Sequence, residues 1–207
     1  VTAAPDVRVA VLGDSFAAGV GDPAALGWVG RVAARARATG WDLTAYPLGI
    51  RRETTPEIGR RLLAEARPRL RDGDAHGLVV AGGVNDTTVE DGRRRATEDE
   101  TLTALDGVLA AAAAASWPVL VVGPALVADP AQNERIEALS RALAARCTDR
   151  GVPYAEVAAP LAGDADWIAE IASVDGAHPG AAGYQRLADL VWPAFADWLA
   201  AVVGSAR

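Results

Sequence analysis

Val7-Arg8-Val9-Ala10-Val11-Leu12-Gly13-Asp14-Ser15 is the stretch from which the rest of the chain can be read. Apart from Arg8, residues 7–12 are apolar in both phases of a two-residue repeat, as a strand covered on both faces requires. A strand buried on both sides belongs inside a parallel sheet, because the crossover connections between parallel strands lay helices over the two faces. Gly13-Asp14-Ser15 then breaks the apolar run at the carboxyl end of that strand.

The segments downstream agree. Asp22-Pro23 supplies an N-cap and a first-turn proline, which predicts a helix reaching Gly40 with Leu26, Val29 and Val32 on one face. Trp41 to Tyr46 reads as a second strand. Thr55-Pro56-Glu57 opens a helix with Ile58, Leu62 and Leu63 as its apolar face, stopped by Arg71-Asp72-Gly73-Asp74. Leu78 to Ala81 is the third strand, followed by a helix from Thr97 to Ser116 and a strand from Val119 to Val122. Ile136, Leu139 and Leu143 mark a helix over Ala131 to Arg146, Val152 to Val157 is the fifth strand, and Ala181 to Val202 is the last helix. Five strands alternating with helices predict an α/β fold in three α/β/α layers around a five-stranded parallel sheet. With no repeat, linker or low-complexity break, residues 1–207 read as one domain.

The chain is 51% apolar and 23% charged, in the range of globular domains. Its formal net charge of −7 argues against a nucleic-acid surface, which needs a basic patch to displace counterions. Arg93, Arg94 and Arg95 are flanked by Glu90, Asp91, Glu98, Asp99 and Glu100, as in a solvated loop. The single cysteine, Cys147, rules out an intrachain disulfide and reads as a core residue. No segment reads as a membrane span; the alanine run at 110–115 is too short and ends at Trp117-Pro118. The N-terminus carries neither a cationic start nor an apolar signal core, so a cytoplasmic location is expected. The chain contains no methionine, which leaves room for a signal peptide removed upstream and hence for secretion.

Ligands of open parallel sheets bind outside the carboxyl ends of the strands. Ser15 follows the first strand, Gly49 the second, Gly83-Val84-Asn85-Asp86 the third, and Asp175-Gly176-Ala177-His178-Pro179 the fifth. A serine hydroxyl becomes a useful nucleophile only when an imidazole takes its proton and a third group orients that imidazole. Of the two histidines, His178 lies three residues after Asp175 on a stretch whose glycine and proline preclude regular helix, so the two side chains can meet locally. The alternatives are structural: a capping serine, a turn-forming aspartate, a surface histidine, an Asx-turn at Asn85, and a strand-end glycine at Gly49. His76, at the entrance to the third strand, reads as structural. No Cys/His/carboxylate spacing suggests a metal.

These blocks resemble the SGNH hydrolases, also called the GDSL esterase/lipase family. Gly13-Asp14-Ser15 matches its first block, with Phe16 in place of the leucine of the family name. Gly49 in Pro47-Leu48-Gly49-Ile50 stands for the second, Gly83-Val84-Asn85-Asp86 for the third, and Asp175 to Pro179, followed by Gly183-Tyr184, for the last. The blocks occur in family order and span most of the chain. The resemblance implies a flavodoxin-like fold, Ser15 as nucleophile, His178 as general base and acid, and Asp175 as its orienting partner. It also implies oxyanion donors at the backbone N–H groups of Ser15 and Gly49 and the side-chain amide of Asn85. Asp14 and Asp86 read as loop-holding residues. One segment departs from the pattern: many relatives carry Ser-Gly-Asp-Thr where this chain has Arg51-Arg52-Glu53-Thr54. That change bears on the shape and charge of the pocket edge. Arg51 and Arg52 could pair with an anion or simply be solvated, and Trp28 and Trp167 could line the acyl pocket or pack in the core.

The expected activity is a cofactor-free serine esterase acting on carboxylic esters or thioesters. Short acyl chains are expected, since no long apolar insertion is available to cover an extended one. The expected partner is a small-molecule acyl ester. An acyltransferase or carbohydrate deacetylase would use the same acyl-enzyme. A phosphate-binding module built on the loop from Gly13 to Gly21 is the non-enzyme alternative, weakened by the missing Gly-x-Gly-x-x-Gly spacing and Walker lysine.

Overall fold

In the computed structural model, which describes residues 4–205, β1 (Asp6–Gly13) lies inside a five-stranded sheet. It leads through a one-turn helix α1 (Ser15–Ala18) and α2 (Gly27–Ala38) to β2 (Asp42–Gly49). Next come α3 (Thr55–Ala66), β3 (Ala75–Ala81), a 3-10 turn at Asn85–Thr87, and a two-residue hairpin of β4 (Val89–Glu90) and β5 (Arg93–Arg94). The chain continues through α4 (Glu98–Ala114), β6 (Val119–Val122), α5 (Pro130–Arg150), β7 (Tyr154–Ala155), α6 (Ala158–Leu161), α7 (Ala165–Val174) and α8 (Ala181–Ser205). The sheet order is β2-β1-β3-β6-β7, all parallel, which is the flavodoxin-like arrangement.

Alternate side chains of the inner strands enter two apolar layers. Val7, Val9 and Val11 of β1 and Val79 of β3 meet α2 and α8 on one face, around Trp28, Tyr184, Val191 and Leu199. Ala10, Leu12, Leu78 and Val80 meet Ile58, Leu62, Leu105 and Leu143 on the other. Cys147 is buried in this second layer, where burial pushes its thiol up to about 11, as the core assignment requires. Among the described residues α8 alone is long and apolar enough to cross a membrane by length and composition, a segment the sequence reading passed over. Its Leu187, Val191, Phe195, Leu199 and Val202 are buried in the protein.

Four local expectations are corrected. The helix predicted from Asp22 starts instead at Gly27, because the Asp22 carboxylate accepts the N–H groups of Ala24, Leu26 and Gly27 and pairs with Arg31, which closes a loop rather than a helix. Leu26 is accordingly half exposed. The fifth strand shrinks to two residues, and α6 and α7 intervene between it and Asp175. Arg93 and Arg94 are exposed as expected, but Arg95 turns inward to ion pairs with Glu57 and Glu90.

Candidate active site

The turn that holds Ser15 follows from the end of β1. Asp14 caps α1 by accepting the Phe16 N–H at 2.9 Å, and Gly19 ends the helix at φ +75°, a left-handed conformation cheap only for glycine. Ser15 is thereby held in the first position of α1, 5% exposed. At the other end of the sequence, α7 stops at Asp175, whose Oδ1 accepts the N–H groups of Ala177 at 3.0 Å and His178 at 2.8 Å. This Asx-type loop aims the imidazole.

His178 Nε2 lies 2.7 Å from Ser15 Oγ, and His178 Nδ1 lies 2.7 Å from Asp175 Oδ2. The Phe16 ring tilts against the imidazole with centroids 5.4 Å apart. Partial burial alone would raise the Asp175 carboxyl, but hydrogen bonds from the His178 N–H, the His178 ring and the Ala177 N–H outweigh it and bring the group down to about 2. A carboxylate there fixes the tautomer with Nδ1–H toward Asp175 and leaves Nε2 as the acceptor facing the serine.

Ser15 and His178 open into a cavity of about 450 Å³, lined also by Arg51, Arg52, Asn85 and Asp175 and walled by Phe16, Val84 and Val127. Larger depressions of about 860 and 730 Å³ lie between α3 and α4 and beside Trp117 and Trp198, away from the serine. Convergent polar groups, rather than volume, select the site. The walls contributed by Val127, Ala128 and Gln132 after β6 went unnoticed in the sequence. Gln132 anchors the turn after β3 by donating to the Val84 carbonyl at 3.1 Å. Trp28 and Trp167 are buried in the core, and the Trp167 indole donates to the Leu126 carbonyl at 3.0 Å.

Gly49 does not line this cavity, contrary to expectation. The Ile50 N–H donates to Gly13, so by ladder alternation the Gly49 N–H points away from β1, toward the open edge of the sheet. Pro47, two residues earlier, shares that outward phase, where a missing donor is tolerated. What Gly49 supplies is room: a Cβ there would lie 2.3 Å from both the Ala18 nitrogen and the Asp14 carbonyl oxygen.

The cavity wall beyond Ser15 is made by Arg52 instead, at φ +68°. Arg52 occupies the glycine position of the family's Ser-Gly-Asp-Thr segment and keeps a glycine-like backbone. Among the described residues its N–H, like those of Arg51 and Ser15, has no hydrogen-bond acceptor. The signal for this was present in the register of Arg51-Arg52-Glu53-Thr54 against Ser-Gly-Asp-Thr. Asn85 does face the cavity, and its Nδ2 donates to Glu53 O at 3.0 Å and to Asp14 Oδ2 at 3.3 Å.

The two remaining carboxylates are buried supports. Burial pushes Asp14 up to about 7 against the opposing pull of the Phe16 N–H, with neighbouring Asp86 adding to the rise. Asp86 is likewise raised by burial, and it ties β3 to its neighbours by accepting the Thr55 N–H at 2.9 Å and the Thr101 hydroxyl at 2.7 Å. Arg61 reaches beneath the site, donating to the carbonyls of Gly13 at 2.9 Å and Leu48 at 2.8 Å while pairing with Glu53 at 2.6 Å.

A three-layer α/β domain with a serine, an imidazole and a carboxylate in contact beyond its strand ends has the build of a hydrolase. The chain belongs to the GDSL-like Lipase/Acylhydrolase family, whose model matches residues 11–186. Among solved structures it is similar to TesA, with 26% identity over 93% of this chain and 99% of that one at a TM-score of 0.72. A lipase/acylhydrolase from Enterococcus faecalis superposes at a TM-score of 0.74, with 21% identity over 90% of this chain and 93% of that one. LAE5, an alpha/beta hydrolase enzyme from the metagenome of Lake Arreo in Spain, reaches 0.76, with 19% identity over 94% and 97%. None of the curated protein sequences matches the chain.

Proposed function

We propose that this protein is a serine esterase that hydrolyses carboxylic esters or thioesters of short acyl chains through an acyl-enzyme. The observation that carries the reading is the chain of contacts from Ser15 Oγ to His178 Nε2 and from His178 Nδ1 to Asp175 Oδ2, each 2.7 Å. Ser15 Oγ attacks the carbonyl carbon as its proton passes to Nε2, and the carbonyl π electrons move onto oxygen. The tetrahedral oxyanion collapses, expelling the alcohol or thiol, which takes the proton back from His178. Water then attacks the acyl-enzyme by the same route and releases the acid and free Ser15.

In this reading the developing oxyanion is met by the backbone N–H groups of Ser15 and Arg52, which have no acceptor among the described residues, and by the amide of Asn85, all on the lining of one cavity. Asn85 serves it by giving up the longer of its two hydrogen bonds, the one to Asp14. A cavity of about 450 Å³ suits a short acyl group.

The test is a panel of p-nitrophenyl esters from two to sixteen carbons, run beside Ser15→Ala and a fluorophosphonate probe. Hydrolysis favouring two to six carbons, with labelling and turnover both lost in Ser15→Ala, is the expected result. A folded protein that neither hydrolyses any ester nor takes the probe overturns the reading.

A further inference from the structure

Four arginines gather around the turn that closes the catalytic cavity, and three of them are spoken for. Arg52 pairs with Glu90 at 2.5 Å, Arg61 with Glu53 at 2.6 Å, and Arg95 with Glu57 at 3.5 Å and Glu90 at 3.7 Å. Arg95 also donates to the Arg52 carbonyl at 2.5 Å, so the turn is braced from below. Arg51 lines the cavity, is exposed, and has no carboxylate partner among the described residues. Neither carboxylate that lines the cavity is within ion-pair distance of it: Asp175 is hydrogen-bonded to His178, and Asp129 accepts the Ala131 N–H at the start of α5.

We propose that Arg51 recognises an anion on the substrate, so that the preferred esters carry a carboxylate or phosphate on either the acyl or the alcohol side. This rests on the esterase reading above. A guanidinium keeps its charge at any working pH and presents a planar fork matched to carboxylate and phosphate oxygens. A net charge of −7 repels an anionic substrate at long range, so productive binding needs a local cation at the mouth of the site.

Two matched pairs of chromogenic esters test it: p-nitrophenyl hydrogen adipate against its methyl ester, and 5-acetoxy-2-nitrobenzoate against p-nitrophenyl acetate. The first pair places the anion on the acyl group and the second on the leaving group. In at least one pair the anionic-to-neutral ratio of kcat/KM should fall about tenfold in Arg51→Gln, further in Arg51→Glu, and less in Arg51→Lys. The pair that responds identifies the side bearing the anion. Hydrolysis that depends on Ser15 but shows ratios unchanged within about twofold in all three variants overturns the anion site alone. No hydrolysis of any of the four esters, with no fluorophosphonate labelling, overturns the esterase reading and this proposal with it.

Discussion

Gly21 packs so closely under His178 that a methyl group on it would lie 3.2 Å from the His178 Cβ and 2.8 Å from the Pro179 carbonyl oxygen. Gly21 also sits at φ +89°, where a side chain is strained. The loop after α1 therefore sets how far the imidazole stands from the serine. Gly21→Ala should lower kcat about tenfold to a hundredfold by displacing His178, since a misplacement near 1 Å carries that order of loss. Activity within about twofold of wild type in the folded variant would show that the loop does not set the position of the imidazole.

Asp175→Asn keeps the shape of the loop but offers an amide where the imidazole needs an anion. A drop in kcat of about ten-thousandfold is expected, the scale seen when the same change leaves a triad histidine in the wrong tautomer. The carboxylate has a stability signature as well. Its folded pKa of about 2 lies below its ordinary value, so its contribution is present above about pH 4 and is lost as the pH falls through about 2. Urea midpoints at pH 5 and pH 2.5 should converge between wild type and variant at the lower pH; a constant gap would count against the ionised pair.

Asp14 has the opposite sign. Its carboxyl is raised to about 7, so the folded state holds a proton that the unfolded chain has already released. The contribution of this group to stability therefore declines as the pH rises from about 4 to about 7 and is flat beyond. Asp14→Asn should remove that part of the slope in a denaturant series, while Asp86 retains a smaller slope of the same sign. The same variant sets an amide against the Asn85 amide, two donors facing each other, so kcat should fall too. Identical pH slopes in wild type and variant would refute the assignment.

Asn85 is the donor whose loss should be read most directly. Asn85→Ala should lower kcat by about a hundredfold to a thousandfold, the usual scale for one oxyanion donor. Asn85→Asp should fall further at neutral pH, because it places a carboxylate beside Asp14 where negative charge develops on the substrate. Losses under about threefold in both folded variants would reduce Asn85 to a loop former and leave the backbone N–H groups of Ser15 and Arg52 as the donors.

The chain by itself determined the layers, the parallel sheet, and the segments of Ser15, Asn85 and Asp175 to His178 that meet in one cavity. Periodicity, capping residues and apolar runs act between near neighbours, and Val7 to Leu12, Asp14 and the Asp175 to His178 loop carry those relations within a few residues. Boundaries set by competition were less legible: Asp22 looks like a helix cap, yet Arg31 and three loop N–H groups claim its carboxylate. Only the tertiary structure decided which residue after β2 lines the cavity beside the serine. Gly49 and Arg52 differ by three positions, and the choice depends on the ladder phase at an edge strand and on a positive φ braced by Arg95 and Glu90 from across the hairpin. The 2.7 Å contact between His178 and Ser15, 163 residues apart, arises the same way: two loops ordered by local hydrogen bonds are brought together because the helices between them must bury their apolar faces on one sheet.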